Sequence, residues 1–142
     1  MSHLLLLLIP IVLYCCSGAL DAFMDTIKDH WSTFVWRDKV NAQFWNPAIS
    51  WTNKYIDNDP TKGHKTFKLL WITFNTFDEL SDVWHRLKIL REGCNILAIL
   101  CTQFAVTPIP IAWWIYIIEG LILAIARNKN FSLFYNKLLV KK

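Results

Sequence analysis

The chain has 142 residues, of which 54% are hydrophobic and 18% are charged, and its formal net charge is +4. Because a soluble domain carries about 25% charged residues, this composition predicts a membrane protein rather than an ordinary soluble domain. The positive charge favours anionic lipid over nucleic acid as a partner, since no basic helix or aromatic stacking motif stands apart from the apolar segments.

The first segment, residues 1–28, is predicted to be a membrane-spanning helix. It begins with a run of Leu and Ile, and Pro10 within that run is tolerated by lipid-embedded helices. The run also has the character of a signal-peptide core, with small residues at 17–19 as a cleavage site. A signal peptide has a basic start and stops after its small residues. Only His3 precedes this run and the helical pattern continues to Ile27, so we prefer a retained span, with a cleaved signal peptide as the alternative.

Residues 29–65 are predicted to form a structured connector at the membrane surface. Turn signals occur at Asn46-Pro47 and at residues 57–60. A stretch of this length without structure is uncommon in a compact domain, and Trp is enriched where a protein meets lipid headgroups. We therefore expect the aromatic side chains of the connector to pack on the interface or against the helices. They are Trp31, Phe34, Trp36, Phe44, Trp45, Trp51 and Tyr55.

Residues 66–92 are predicted to form a helix that either lies on the membrane surface or spans it. Positions i, i+4 and i+7 share a helix face, and Asp78, Asp82 and His85 have this spacing. Two carboxylates and an imidazole in one row suit a divalent metal ion or acid–base chemistry. With Asp25 of the first helix added, these side chains form our metal-site hypothesis. A structural polar network and a solvated helix face are the alternatives.

Residues 93–126 are predicted to form a helical hairpin of two short spans, bent at Pro108 and Pro110. The one charged side chain between residues 94 and 126 is Glu119. A carboxylate inside a membrane span indicates a function or a specific partner. The alternatives for Glu119 are hydrogen bonds to Asn95 or Gln103, an ion pair with Arg91 or His85, and transport of an ion or a proton.

The tail, residues 127–142, contains five basic residues and no acid, which predicts cytoplasmic anchoring. Residues 28–68, which include the connector, contain seven basic and four acidic side chains, and residues 86–91 contain three basic ones. If all three regions are cytoplasmic, the first helix and both hairpin arms cross the membrane, with the N-terminus outside and the C-terminus inside. In the alternative, residues 66–84 also cross, which gives four spans and places the connector outside.

Three motifs resemble those of a group of small bacterial and phage-associated integral membrane proteins whose function is not characterised. They are the run from Ser17 to Thr26, the run FWNPAISWTNKY at residues 44–55 and the run DVWH at residues 82–85. The resemblance covers about residues 17–90. It implies that the connector folds back on the helices, so that one assembly contains Asp25, Asn46, Pro47, Trp51, Asn53, Lys54, Asp82 and His85.

These observations predict an all-α, membrane-embedded bundle of three or four helices in a bacterial inner membrane, forming a single domain. No nucleotide-binding loop, serine nucleophile elbow or CxxC motif is present, so enzymes that carry such motifs are disfavoured. The leading hypothesis is a non-enzymatic interaction or scaffold module, whose partners are the bilayer and another protein or a second copy. A metal-binding protein or enzyme and a holin-like pore former are the alternatives. The predicted polar network comprises Asp21, His30, Asn46, Trp51, Asn53, Lys54 and Glu119.

Overall fold

A computed structural model of the chain describes residues 3–69, 71–75, 81–106 and 113–140. The described part is mostly helical, which agrees with the predicted all-α class. The helices, in chain order, are α1 (His3–Asp29), α2 (Ala42–Trp45), α3 (Pro47–Ser50), α4 (Val83–Val106) and α5 (Trp113–Leu133). A β-hairpin of strands β1 (Thr66–Leu69) and β2 (Ile72–Asn75) lies between α3 and α4.

Helix α1 is the centre of a three-helix bundle and packs along both α4 and α5. Asp21 lies level with Arg91 of α4 and Arg127 of α5. Two turns earlier, Tyr14 lies level with Thr102 and Leu123. Helix α1 therefore runs antiparallel to α4 and parallel to α5. Its buried face is made of small and apolar side chains, including Ser17, Ala22, Met24, Thr26 and Ile27.

The predicted first span is confirmed as a helix, because α1 covers nearly the expected range and includes Pro10. The Thr26 hydroxyl donates to the carbonyl of Ala22 at 2.7 Å, which satisfies a buried polar group within the helix. Among the described residues, α1 is the one helix that is long and apolar enough to cross a membrane, over Leu8–Asp29.

The connector is structured, as predicted, and its centre is the fully buried Phe34. The rings of Trp31, Trp36 and Trp45 surround Phe34 at centroid distances between 5.8 and 6.2 Å. We call these four side chains the aromatic core. Each large aromatic ring buries about 150–250 Å², so this core is the main apolar packing of the connector.

The segment after α5 closes over the aromatic core. A π-helical turn, Phe134–Leu138, follows α5 directly. The backbone N–H of Val35 donates to the carbonyl of Leu139 at 3.0 Å, and Leu139 is 1% exposed. The connector and the tail are thus held together beside the end of α1.

The prediction of a helix over residues 66–92 is wrong for its first half. Residues 66–75 form the antiparallel β-hairpin, in which Phe67 pairs with Phe74 and Lys68 with Thr73. Thr, Phe and Ile at these positions favour strands, because branched and aromatic side chains pack well on a pleated surface. The described residues 66–69 and 72–75 are thus strands and not part of a helix.

The remaining boundaries differ from the prediction in two places. Helix α4 runs without a break through the expected boundary at residue 92, so the second half of the third segment and the first hairpin arm are one helix. Helix α5 continues past residue 126 to Leu133, so the expected basic tail is partly helical. The predicted bend at Pro108 and Pro110 lies outside the described residues.

Candidate functional site

Asp21 joins the three long helices. Nη1 of Arg91 donates to Oδ1 of Asp21 at 2.9 Å, and Nη2 of Arg127 donates to Oδ2 of the same carboxylate. The Asp21 side chain is only 16% exposed. We call these three residues the ion-pair triad. It fixes α1, α4 and α5 at one level of the bundle.

The predicted polar network contained Asp21 but missed Arg127. Arg127 lies 106 residues away along the chain, and no local pattern links the two positions. The expected pairing of Arg91 with Glu119 is also not observed. Arg91 binds Asp21 and, through its other terminal nitrogen, the neighbouring Glu92.

Helices α1 and α5 touch at backbone level just before the triad. A Cβ atom built on Gly18 would overlap the carbonyl oxygen of Arg127. Nδ2 of Asn130 donates to the carbonyl oxygen of Cys15. Gly18 therefore permits a close approach that brings Arg127 within reach of Asp21.

Asp82 and His85 lie together, but their contact is a helix cap. Oδ1 of Asp82 accepts from the backbone N–H of His85 at 2.9 Å, and Oδ2 lies 2.9 Å from Nδ1 of the same residue. Asp82 is 2% exposed and stands directly before the first residue of α4. Its carboxylate satisfies one of the N–H groups that a helix start leaves without a partner.

We expect Asp82→Ala to lower the free energy of unfolding by about 1–2 kcal/mol, because the cap is lost at a buried helix start. Asp82→Asn keeps a side-chain oxygen that can accept from the His85 N–H, so it should lose less than half of that. Chemical unfolding of the detergent-solubilised protein, followed by Trp fluorescence, measures both. Equal stability of Asp82→Ala and the wild type would contradict the capping role.

The metal-site hypothesis gains no geometric support from the described residues. In this part of the chain, no three His, Cys, Asp or Glu side chains are grouped so that they could hold a metal ion. Asp25 lies one turn after Asp21 on α1, whereas Asp82 and His85 form their cap at the start of α4. Asp78 lies outside the described residues.

Asn53 links the connector to the start of α4. Its Nδ2 donates to the carbonyl of Gln43 at 2.8 Å and to the carbonyl of Ser81 at 3.0 Å. Its Oδ1 accepts from Nε2 of Gln43 at 2.8 Å, and Nζ of Lys65 donates to its backbone carbonyl. The connector thus contacts Ser81, the residue next to Asp82.

The other predicted network residues make separate contacts. Asn46 caps α3 by accepting from the N–H of Ala48, and Trp51 donates to the carbonyl of the same residue. Lys54 lies over the ring of Tyr55, 5.5 Å from its centroid. The His30 ring packs edge-on against Tyr135. In the described part of the chain, these contacts do not join His30, Asn46, Trp51 or Lys54 to Asp82 or His85.

Glu119 lines a cleft of about 220 Å³ between the three helices, on the opposite side of the triad from the connector. Tyr14 comes from α1, Thr102 and Gln103 from α4, and Tyr116 from α5. Gln103, one of the predicted hydrogen-bond partners of Glu119, lines the same cleft. The tyrosines and Thr102 were missed, because an isolated polar residue in an apolar helix gives no signal until the helices are paired.

No protein-family model matches this chain, and comparisons with curated proteins and with solved structures find no similar protein. The resemblance based on the FWNP and DVWH motifs stays a prediction.

Proposed function

We propose that this chain is a small integral membrane protein that acts as a non-enzymatic interaction module. The observation that carries the proposal is an exposed apolar belt on α4 and α5. So many exposed large apolar side chains on two helices are unusual for a soluble monomer, and in lipid their exposure is favourable. The belt comprises Ile96, Leu97, Ile99, Leu100, Trp114, Ile117, Ile118, Leu121, Ile122 and Ile125, each at least 47% exposed.

We infer that the boundary of the membrane lies at the level of the ion-pair triad. On one side of it lie the apolar parts of the three helices, and on the other lie the connector, the β-hairpin and the segment after α5. From residue 3 to residue 20, α1 is about 27 Å long at 1.5 Å per residue. The hydrocarbon core is about 30 Å thick, so this part of α1 is nearly long enough to cross it.

The arrangement of the helices supports one topology. Since α1 and α5 are parallel and α4 is antiparallel to both, the connector, the start of α4 and the end of α5 share one end of the bundle. This end contains the basic connector and the basic tail. The positive-inside rule places it in the cytoplasm, with the N-terminus outside, in what we propose is a bacterial inner membrane.

The β-hairpin is the part of this end that is most open to a partner. Trp71 is 85% exposed, and Ile72 beside it is 51% exposed. Exposed aromatic side chains are typical anchors of protein interfaces. In the proposed module, the apolar belt therefore contacts the bilayer. The β-hairpin contacts another protein or a second copy of the chain.

Membrane extraction and cysteine labelling test the proposal. We expect the protein to stay in the membrane pellet after alkaline carbonate washing of cells that express it, and release by carbonate would contradict integral insertion. In a cysteine-free background, Asp38→Cys and Lys137→Cys should react with a membrane-impermeant maleimide only after spheroplasts are lysed. Ser2→Cys serves as the matched control and should react in intact spheroplasts. Labelling of Asp38→Cys before lysis would overturn the topology.

A further inference from the structure

The cleft that contains Glu119 has the features of a ligand site rather than a packing defect. Thr102 is 8% exposed and lines the cleft, and its hydroxyl oxygen has no hydrogen-bond partner among the described residues. Most buried polar groups in native proteins have a partner, so a buried hydroxyl without one calls for an explanation. A bound polar group in the cleft would supply it.

The residues that line the cleft indicate which kind of polar group it would bind. The Glu119 carboxylate lies in the apolar half of the bundle, where a charge needs a counter-charge to offset the cost of leaving water. Two aromatic rings, Tyr14 and Tyr116, line the same cleft, and aromatic faces attract organic cations. Ile99 and Leu123 add apolar surface for a short alkyl chain.

The volume of the cleft limits the size of the ligand that it can hold. Pockets for drug-sized ligands measure about 300–1,000 Å³, so about 220 Å³ suits a molecule of a few heavy atoms. A divalent ion such as Ca²⁺ takes six to eight oxygen ligands, and no metal-holding group of His, Cys, Asp or Glu occurs within residues 3–69, 71–75, 81–106 and 113–140. A small organic monocation fits the Glu119 carboxylate, the Thr102 hydroxyl and the two tyrosine rings better than a divalent metal ion does.

We propose that this cleft binds a small primary alkylammonium ion, with Glu119 as its counter-ion and Thr102 as a hydrogen-bond acceptor. The inference rests on the proposed function, because it places the cleft at membrane depth. Tyr116 is 41% exposed, so the cleft opens on the surface of the bundle and admits a ligand from the side.

Thermal unfolding of the full chain in phosphatidylcholine nanodiscs, followed by Trp fluorescence, tests the site. We expect n-butylammonium to raise the unfolding temperature in a saturable manner, since a ligand of the native state stabilises it. The neutral n-butanol and K⁺ at equal concentrations should give no saturable rise. An equal rise with n-butanol would show apolar binding only, and an equal rise with K⁺ would show that the alkyl group is not recognised; either result overturns the proposal.

Variants of the lining residues test whether n-butylammonium binds in this cleft. Glu119→Gln should weaken n-butylammonium binding at least ten-fold, whereas the matched control Asp57→Asn, at an exposed carboxylate in the connector, should leave it unchanged. Thr102→Val should raise the unfolding temperature without ligand, because it removes an unpaired hydroxyl, and should also weaken binding. Unchanged affinity in Glu119→Gln would overturn the inference. A chain that fails to insert into nanodiscs contradicts the proposed function, while one that inserts without binding contradicts only this inference.

Discussion

Gly18→Val should lower the free energy of unfolding by about 3 kcal/mol, and Gly18→Ala by about 2 kcal/mol, because overpacking costs about 1–3 kcal/mol and occasionally more. The physical reason is the contact between α1 and α5. The first side-chain atom at position 18 would overlap the carbonyl oxygen of Arg127, which belongs to the backbone of a helix and cannot rotate away. The helices must therefore move apart, which also lengthens the link between Arg127 and Asp21.

The chain offers matched controls for this change. A Cβ atom built on Gly93 of α4 or on Gly120 of α5 meets no atom within 4 Å among the described residues. Alanine at either position should be neutral or stabilising by up to about 1 kcal/mol, since Gly is a poor helix former. Unfolding in detergent micelles, measured by circular dichroism for all four variants, makes the comparison. If Gly18→Ala and Gly93→Ala were equally stable, the close approach of α1 and α5 would be refuted.

Asp21→Asn should lower the free energy of unfolding by about 2–3 kcal/mol. The substitution keeps the shape of the side chain but leaves the guanidinium groups of Arg91 and Arg127 without their shared carboxylate. Loss of one partner of a buried pair costs about 3–5 kcal/mol, and the figure here is smaller because the Arg127 side chain is 36% exposed to solvent. The same micelle assay measures the effect.

The control for Asp21 is Asp38→Asn. Asp38 pairs with Arg37 at 3.0 Å, but the two side chains are 63% and 44% exposed. Exposed pairs contribute roughly 0–1 kcal/mol, so this variant should differ from the wild type by less than about 0.5 kcal/mol. A double variant, Asp21→Asn with Arg127→Gln, should be less destabilised than the sum of the two single changes. Strict additivity would mean that the two residues do not interact.

The first helix could be predicted from the sequence because its signals are local. A long apolar run ends at a cluster of charges, and α1 ends at Asp29 as that pattern requires. The Asp82 cap carried a local signal too, since Asp directly before an apolar helical pattern is a typical helix start. The spacing of Asp78, Asp82 and His85 predicts a shared helix face instead, and this pattern does not indicate the cap.

The β-hairpin and the triad could not be obtained in the same way. The run from Phe67 to Phe74 is short and apolar, and such runs fit a strand or a helix equally well. The pairing of Phe67 with Phe74 depends on a turn whose geometry the residue types do not fix. The contact between Asp21 and Arg127 depends on how three helices are arranged in space, and periodicity within one helix carries no information on that.

The residues of the triad are far apart in the sequence, so they are synthesised at different times. Helix α1 leaves the ribosome first, yet Arg127 follows Asp21 by 106 residues. At about 5–20 residues per second, the carboxylate waits roughly 5–20 s for its second partner. Arg91 follows Asp21 by only 70 residues, so the carboxylate gains one of its two partners before α5 is made. The triad is therefore complete only after α5 has been made.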